Sequence, residues 1–95
     1  MKSDKFRLIL SKKSEKFINT HKLEGAKFLK AFSELRDNPV LSSNYDIKKY
    51  HHKKYDDIFR LRIGKYRAIF RIVKNELIIF VIDIDSRGDI YKWFR

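Results

Sequence analysis

The chain has 95 residues, enough for one domain with a single core and not for two. It carries 23 Lys+Arg against 12 Asp+Glu, a formal charge of +11, and no cysteine. These counts exclude a disulfide framework, a thiolate metal site and a cysteine nucleophile, and the charge favours a polyanionic partner such as nucleic acid or an acidic protein.

Residues Lys5 to Leu10 alternate between polar and apolar and predict a first strand. Ser11 suits the N-cap of a helix running to about Asn19, with Phe17 and Ile18 as its apolar contacts. A second helix is expected from Leu23 to Asp37, with Phe28, Leu29, Phe32 and Leu35 on one stripe and Asn38-Pro39 ending it. Residues 40–54 show no clean period and are expected to form a loop carrying Lys48, Lys49, Lys53 and Lys54. Alternation then becomes strong, and Ile58–Ile63, Tyr66–Val73 and Leu77–Asp85 predict three strands. The first two are joined by Gly64-Lys65, which suits a two-residue type II′ turn, and the last two by a turn near Lys74-Asn75-Glu76. Ser86 to Arg95 is a short aromatic tail. The order β-α-α-β-β-β defines an α+β two-layer fold, an antiparallel sheet with a helical hairpin on one face, and residues 1–95 read as a single domain. No apolar run is long enough to cross a bilayer, and Met1-Lys2-Ser3-Asp4 does not open a signal peptide. A cytoplasmic protein with no membrane role is expected.

A two-residue turn at Gly64-Lys65 fixes a register by counting: Ile63 faces Tyr66, Arg62 faces Arg67, Leu61 faces Ala68 and Arg60 faces Ile69. One face then carries Phe59, Leu61, Ile63, Tyr66, Ala68, Phe70 and Ile72, and receives the helices. The other carries Arg60, Arg62, Arg67 and Arg71. Arg62 opposite Arg67, with Cβ atoms about 5 Å apart, destabilises the sheet by up to roughly 1 kcal/mol. No carboxylate on these two strands shares their face, so the pattern implies an external anion; a solvated strand face with splayed side chains is the plain alternative. Guanidinium forks match phosphate oxygens, which favours the anion site. The last strand is apolar on both sides and places Ile78, Phe80, Ile82 and Ile84 beside the arginines. A small protein does not leave such a strip in water, so either the tail, through Tyr91, Trp93 and Phe94, or a partner is expected to cover it.

The stretch Phe59-Arg60-Leu61-Arg62-Ile63-Gly64-Lys65-Tyr66-Arg67-Ala68-Ile69-Phe70, followed by an apolar strand and Ser86-Arg87-Gly88-Asp89-Ile90-Tyr91, resembles the RelE branch of the RelE/ParE toxin superfamily. Element order and length agree along essentially the whole chain. The resemblance implies a metal-independent, ribosome-dependent endoribonuclease that cleaves mRNA in the A site and is held in check by an acidic RelB-like antitoxin. Attack by the ribose 2′-hydroxyl would give a 2′,3′-cyclic phosphate and a 5′-hydroxyl. By family position, Arg60 and Arg62 are the two basic residues of the strand before the turn. Arg67 binds the scissile phosphate, Arg87 stabilises the transition state or leaving group, and Tyr91 contacts the nucleotide. Lys48, Lys49, Lys53, Lys54, Lys65 and Arg71 are candidate RNA contacts, and Ile78, Phe80, Ile82, Trp93 and Phe94 candidate partner contacts.

An arginine cluster supplies charge stabilisation, but guanidinium is a poor general base. Tyr91 is open to two roles, stacking on a base or shuttling a proton with its pKa lowered by the arginines. Some relatives carry a histidine or glutamate as acid or base; the tail here offers no histidine. Asp56 and Asp57, just before Ile58, read as base candidates or as turn residues. His51-His52 is not expected to hold a metal, because adjacent residues point apart on a strand and lysines follow them, and no cofactor is expected. Three rival functions stay open: a ParE-like toxin that binds DNA gyrase without cleavage, a basic nucleic-acid-binding module, and a purely structural partner-binding protein using the apolar strip.

Overall fold

A computed structural model describes residues 6–37 and 45–86. The order is β1 (Arg7–Leu10), α1 (Lys12–Thr20), α2 (Lys22–Asp37), β2 (Asp46–Tyr50), β3 (Ile58–Ile63), β4 (Tyr66–Val73) and β5 (Ile78–Asp85). These strands make one five-stranded sheet in the order β1-β5-β4-β3-β2, with both helices packed on one face. No helix among the described residues is long and apolar enough to cross a membrane.

Local chemistry accounts for most boundaries. Ser11 is the N-cap of α1, and its Oγ accepts from the Ser14 amide at 3.1 Å while donating to the Ile82 carbonyl at 2.7 Å. One hydroxyl therefore starts the helix and ties it to the sheet. Gly25 lets the two helices close, since a Cβ there would lie 2.8 Å from the backbone of Ile18. Gly64 has φ +60° and is the one described glycine in the left-handed region, while Lys65 keeps a negative φ. That combination is the type II′ turn the sequence calls for.

The expected pairing of β3 with β4 holds residue by residue, including Arg62 with Arg67 and Arg60 with Ile69. Phe28, Ala31, Phe32 and Leu35 of α2 pack on Leu61, Ala68, Phe70, Ile79 and Val81, all essentially dry. Four expectations need correction. The supposed loop at 46–50 is an edge strand, antiparallel to β3. The sheet is not purely antiparallel, because β1 pairs with β5 in parallel. Leu29 lies off the core stripe, 37% exposed, and Ala31 takes the buried position. Finally, β5 does not alternate uniformly. A bulge opposite Ile69/Phe70 pairs Ile69 with Asp83 and Phe70 with Val81, so one residue, Ile82, is extra. Beyond it the faces exchange: Ile84 joins the main core instead of the arginine face, and Asp83 and Asp85 take the arginine face. The expected helix stop at Asn38-Pro39 and the tail from Arg87 lie outside the described residues.

Candidate functional site

Opposed residues in a sheet share a face, so the register builds the site row by row. The row nearest the Gly64 turn runs Asp46, Arg62, Arg67, Asp85 across β2, β3, β4 and β5. The next runs Lys48, Arg60, Ile69, Asp83, and the third Tyr50, Ile58, Arg71, Phe80. The four arginines of β3 and β4 therefore lie on the face opposite the helices, as the alternation requires. Ile58, Ile69 and Ile82 form a second apolar cluster on this face, with Tyr50 and Phe80 packed against it.

The expectation that these arginines lack acidic partners is corrected. Counting only β3 and β4 overlooks β2 and the bulged end of β5, each of which brings carboxylates to the face. Arg60 is only 8% exposed, and its Nη2 donates to Asp46 Oδ1 at 2.9 Å. Its buried Nε makes no hydrogen bond. Arg71 is held by Asp57 through two bonds, Nε to Oδ1 at 2.8 Å and Nη2 to Oδ2 at 2.9 Å, and its guanidinium lies 4.3 Å from the centre of the Tyr55 ring. The hydrogen bonds with Asp57 raise the Arg71 pKa further. Asp57 is thus the anchor of the segment leading into β3. Arg60 and Arg71 do local structural work of this kind, an ion pair at the edge of the interior being retained because an unpaired guanidinium there is costly.

Arg62 and Arg67 differ. Arg62 is exposed, and its Nε donates to the Gly64 carbonyl at 3.2 Å, a bond that leaves its terminal nitrogens to other partners. Its row neighbour Asp46 is bonded to Arg60. Arg67 is half-buried between Arg62 and Asp85 in the ladder. Asp85 Oδ1 accepts from the Ser86 amide at 2.6 Å. Asp83 lies deeper and faces Lys13 of α1 at 3.7 Å. Burial pushes its carboxyl above the usual carboxylate range, against the opposing pull of Lys13.

The lysines split. Lys48 shares the arginine face beside Arg60, whereas Lys49 points to the helix side with Phe59. Lys53 and Lys54 are exposed on the segment after β2, where the Lys54 amide donates to His52 Nδ1 at 3.0 Å. Lys65 sits in the turn with its ammonium 5.5 Å from the Tyr66 ring centre. Ile82 is 5% exposed, and Ile78 and Phe80 are half-buried, so the apolar strip is shorter and drier than its sequence suggests. Arg87, Tyr91, Trp93 and Phe94 lie outside the described residues. Asp46 and Asp85 are the site neighbours that sequence reasoning missed. The alternation Asp83-Ile84-Asp85 was visible, but the bulge that turns both acids toward the arginines was not.

The sequence matches the family model described as "ParE toxin of type II toxin-antitoxin system, parDE" over residues 12–91. The protein called toxin RelE1 of Methanocaldococcus jannaschii is 33% identical over 66 residues, which cover 70% of this chain and 71% of that protein. Among solved structures, the archaeal RelE–RelB complex from Pyrococcus horikoshii contains a chain similar at TM-score 0.75 and 25% identity, with 88% of this chain and 97% of that one covered. A mutant of the Escherichia coli toxin RelE in the free state gives TM-score 0.72 over 95% of this chain and 94% of its own, at 15% identity, a likeness of fold alone. The chain belongs to the ParE toxin family of type II toxin–antitoxin systems, within the RelE/ParE superfamily, and its fold is that of the RelE toxins.

Proposed function

We propose that this toxin inhibits translation as a metal-independent endoribonuclease acting on mRNA in the ribosomal A site. The observation that carries the reading is the direct opposition of Arg62 and Arg67 next to the Gly64 turn, with Arg62 exposed. Two guanidinium groups held together by the ladder are arranged before any substrate arrives. They stabilise the charge that builds on a phosphate as the ribose 2′-oxygen attacks it and the 5′-oxygen leaves. The products are a 2′,3′-cyclic phosphate and a 5′-hydroxyl. The 2′-hydroxyl proton needs an acceptor, and Asp85, beside Arg67, is the carboxylate of this row that is not bonded to Arg60. Arg60 acts through Asp46 as a positioning residue, and Arg71 through Asp57. Arg87 and Tyr91 keep the transition-state and nucleotide-contacting roles that the family resemblance gives them. The RelE–RelB complex from Pyrococcus horikoshii supports an antitoxin partner. An acidic RelB-like protein fits a chain of charge +11 and a face of arginines.

The test is expression of the chain without a partner. Protein synthesis is expected to stop before DNA synthesis, with message cut within codons on purified ribosomes, and Arg62→Ala or Arg67→Ala is expected to relieve both. A second reading is favoured by the matched family model, which is that of ParE toxins: poisoning of DNA gyrase without RNA cleavage. Arrest of replication while translation continues selects that reading and rejects the nuclease.

A further inference from the structure

A groove beside the arginine row has a chemistry that the row does not use. It lies between α2 and the β2–β3 edge, measures about 350 Å³, and is lined by Lys27, Lys30, Tyr45, Asp46, Arg62 and Ile63. Lys27 and Lys30 are both exposed and three residues apart on α2, hence neighbours on one side of the helix. The carboxylate that lines it, and the nearest one beyond Tyr45, are already engaged. Asp46 accepts from Arg60 at 2.9 Å, and Glu34, further along α2, is hydrogen-bonded to Tyr45. Lys27, Lys30 and Arg62 have no carboxylate partner among the described residues. Three cations therefore converge on a cleft whose acids are spoken for, beside the apolar surfaces of Tyr45 and Ile63. Cations for phosphate oxygens next to an aromatic and aliphatic wall are what a nucleotide chain requires.

We propose that this groove binds the phosphodiester backbone of RNA flanking the reacting phosphate, with Lys27 and Lys30 as phosphate contacts. The inference rests on the RNA-cleaving reading above and extends it to a binding track. Arg62 lines the groove and also stands in the arginine row, so one strand of RNA spans both without leaving positively charged surface. An acidic peptide would satisfy the same charges, but that shared arginine ties the groove to the row and so to its substrate.

The experiment compares the wild type with Lys27→Gln/Lys30→Gln and with a charge-matched control, Lys12→Gln/Lys16→Gln, whose lysines are exposed on α1. The probes are a short single-stranded RNA made uncleavable by 2′-O-methylation, and ribosomes programmed with a message methylated in the same way. The groove variant should bind about tenfold more weakly than the control. Its slope of log affinity against log salt should fall by about 0.7 for each lost phosphate contact. Its thermal midpoint should not move, because both lysines are exposed. Loss on both probes identifies the message as the occupant and supports the proposal; loss on ribosomes alone puts ribosomal RNA in the groove and overturns it. If the groove variant matches the control on both probes while Arg62→Ala and Arg67→Ala weaken binding, the groove is overturned and the nuclease reading stands. If the wild type binds neither probe, the reading falls and the groove with it. If the variant loses affinity for polyglutamate but not for RNA, the groove serves an acidic protein and the proposal is wrong.

Discussion

The two faces of the sheet are assembled on different terms. On the helix side Phe28, Phe32, Leu61 and Phe70 interlock with almost no exposed surface, and Phe32 meets Phe70 edge to face with ring centres 5.1 Å apart. Shape and dispersion hold that face. On the other face charges are ranked in rows around a small isoleucine cluster, and like charges meet at Arg62 and Arg67. A sheet built only for stability would avoid that meeting. The contrast shows stability placed on one side and binding capacity on the other. It also divides the arginines themselves: Arg60 and Arg71 are hydrogen-bonded to Asp46 and Asp57, while Arg62 and Arg67 face each other across the ladder, with Asp85 next to Arg67.

The sharpest way to break this comparison is to disturb each face in turn. Phe28→Ala, which hollows the dry side, should lower unfolding free energy by about 3–5 kcal/mol in chemical denaturation and affect activity only through lost folded protein. Arg62→Ala should do the reverse, cutting the cleavage rate roughly 10²–10³-fold in single-turnover assays while stability changes by less than about 0.5 kcal/mol. Equal losses of stability from both would erase the distinction between the faces.

Smaller effects sharpen the division among the arginines. Asp46→Ala strands a buried guanidinium and should cost about 2 kcal/mol; the usual figure for a fully buried pair is higher, but Asp46 is itself 47% exposed. Arg60→Met should cost less than Asp46→Ala, because the carboxylate it leaves behind can turn to water. Urea titration of the two variants checks the order, and the opposite order means that Arg60 is not held by Asp46. The smallest effect concerns Asp83. Its carboxyl pKa is raised by burial, so the folded state holds the proton more tightly than the unfolded chain does. The resulting stabilisation is complete below the unfolded carboxylate range and is lost as pH rises through the folded value. Asp83→Asn should therefore stabilise the protein at neutral pH by roughly 0.5 kcal/mol, with the gain shrinking in acid. A thermal midpoint that falls at neutral pH instead would show that the Lys13 contact outweighs desolvation.

The register of β3 and β4 was readable because a glycine turn of two residues leaves no freedom: once Gly64 takes positive φ, each residue on β3 has one partner on β4. Both helices were readable from a cap and an apolar stripe, with Leu29 misplaced because a stripe read from sequence has no neighbour to set its edges. β2 was missed because Asp46-Ile47-Lys48-Lys49-Tyr50 carries only one apolar residue, Ile47, toward the main core; an edge strand is defined by the strand it joins. That omission hid Asp46 and with it the true state of Arg60.

Local sequence alone determined the helix starts, the tight turn and the common face of four arginines, because each depends on residues close together in the chain. Only the tertiary structure decided which distant acids joined the arginine face. That outcome turned on one extra residue in β5 and on pairing between strands separated by a loop, and contacts of that kind leave no period to read. The acids at Asp46 and Asp85 reach the arginines through the sheet, not through the chain.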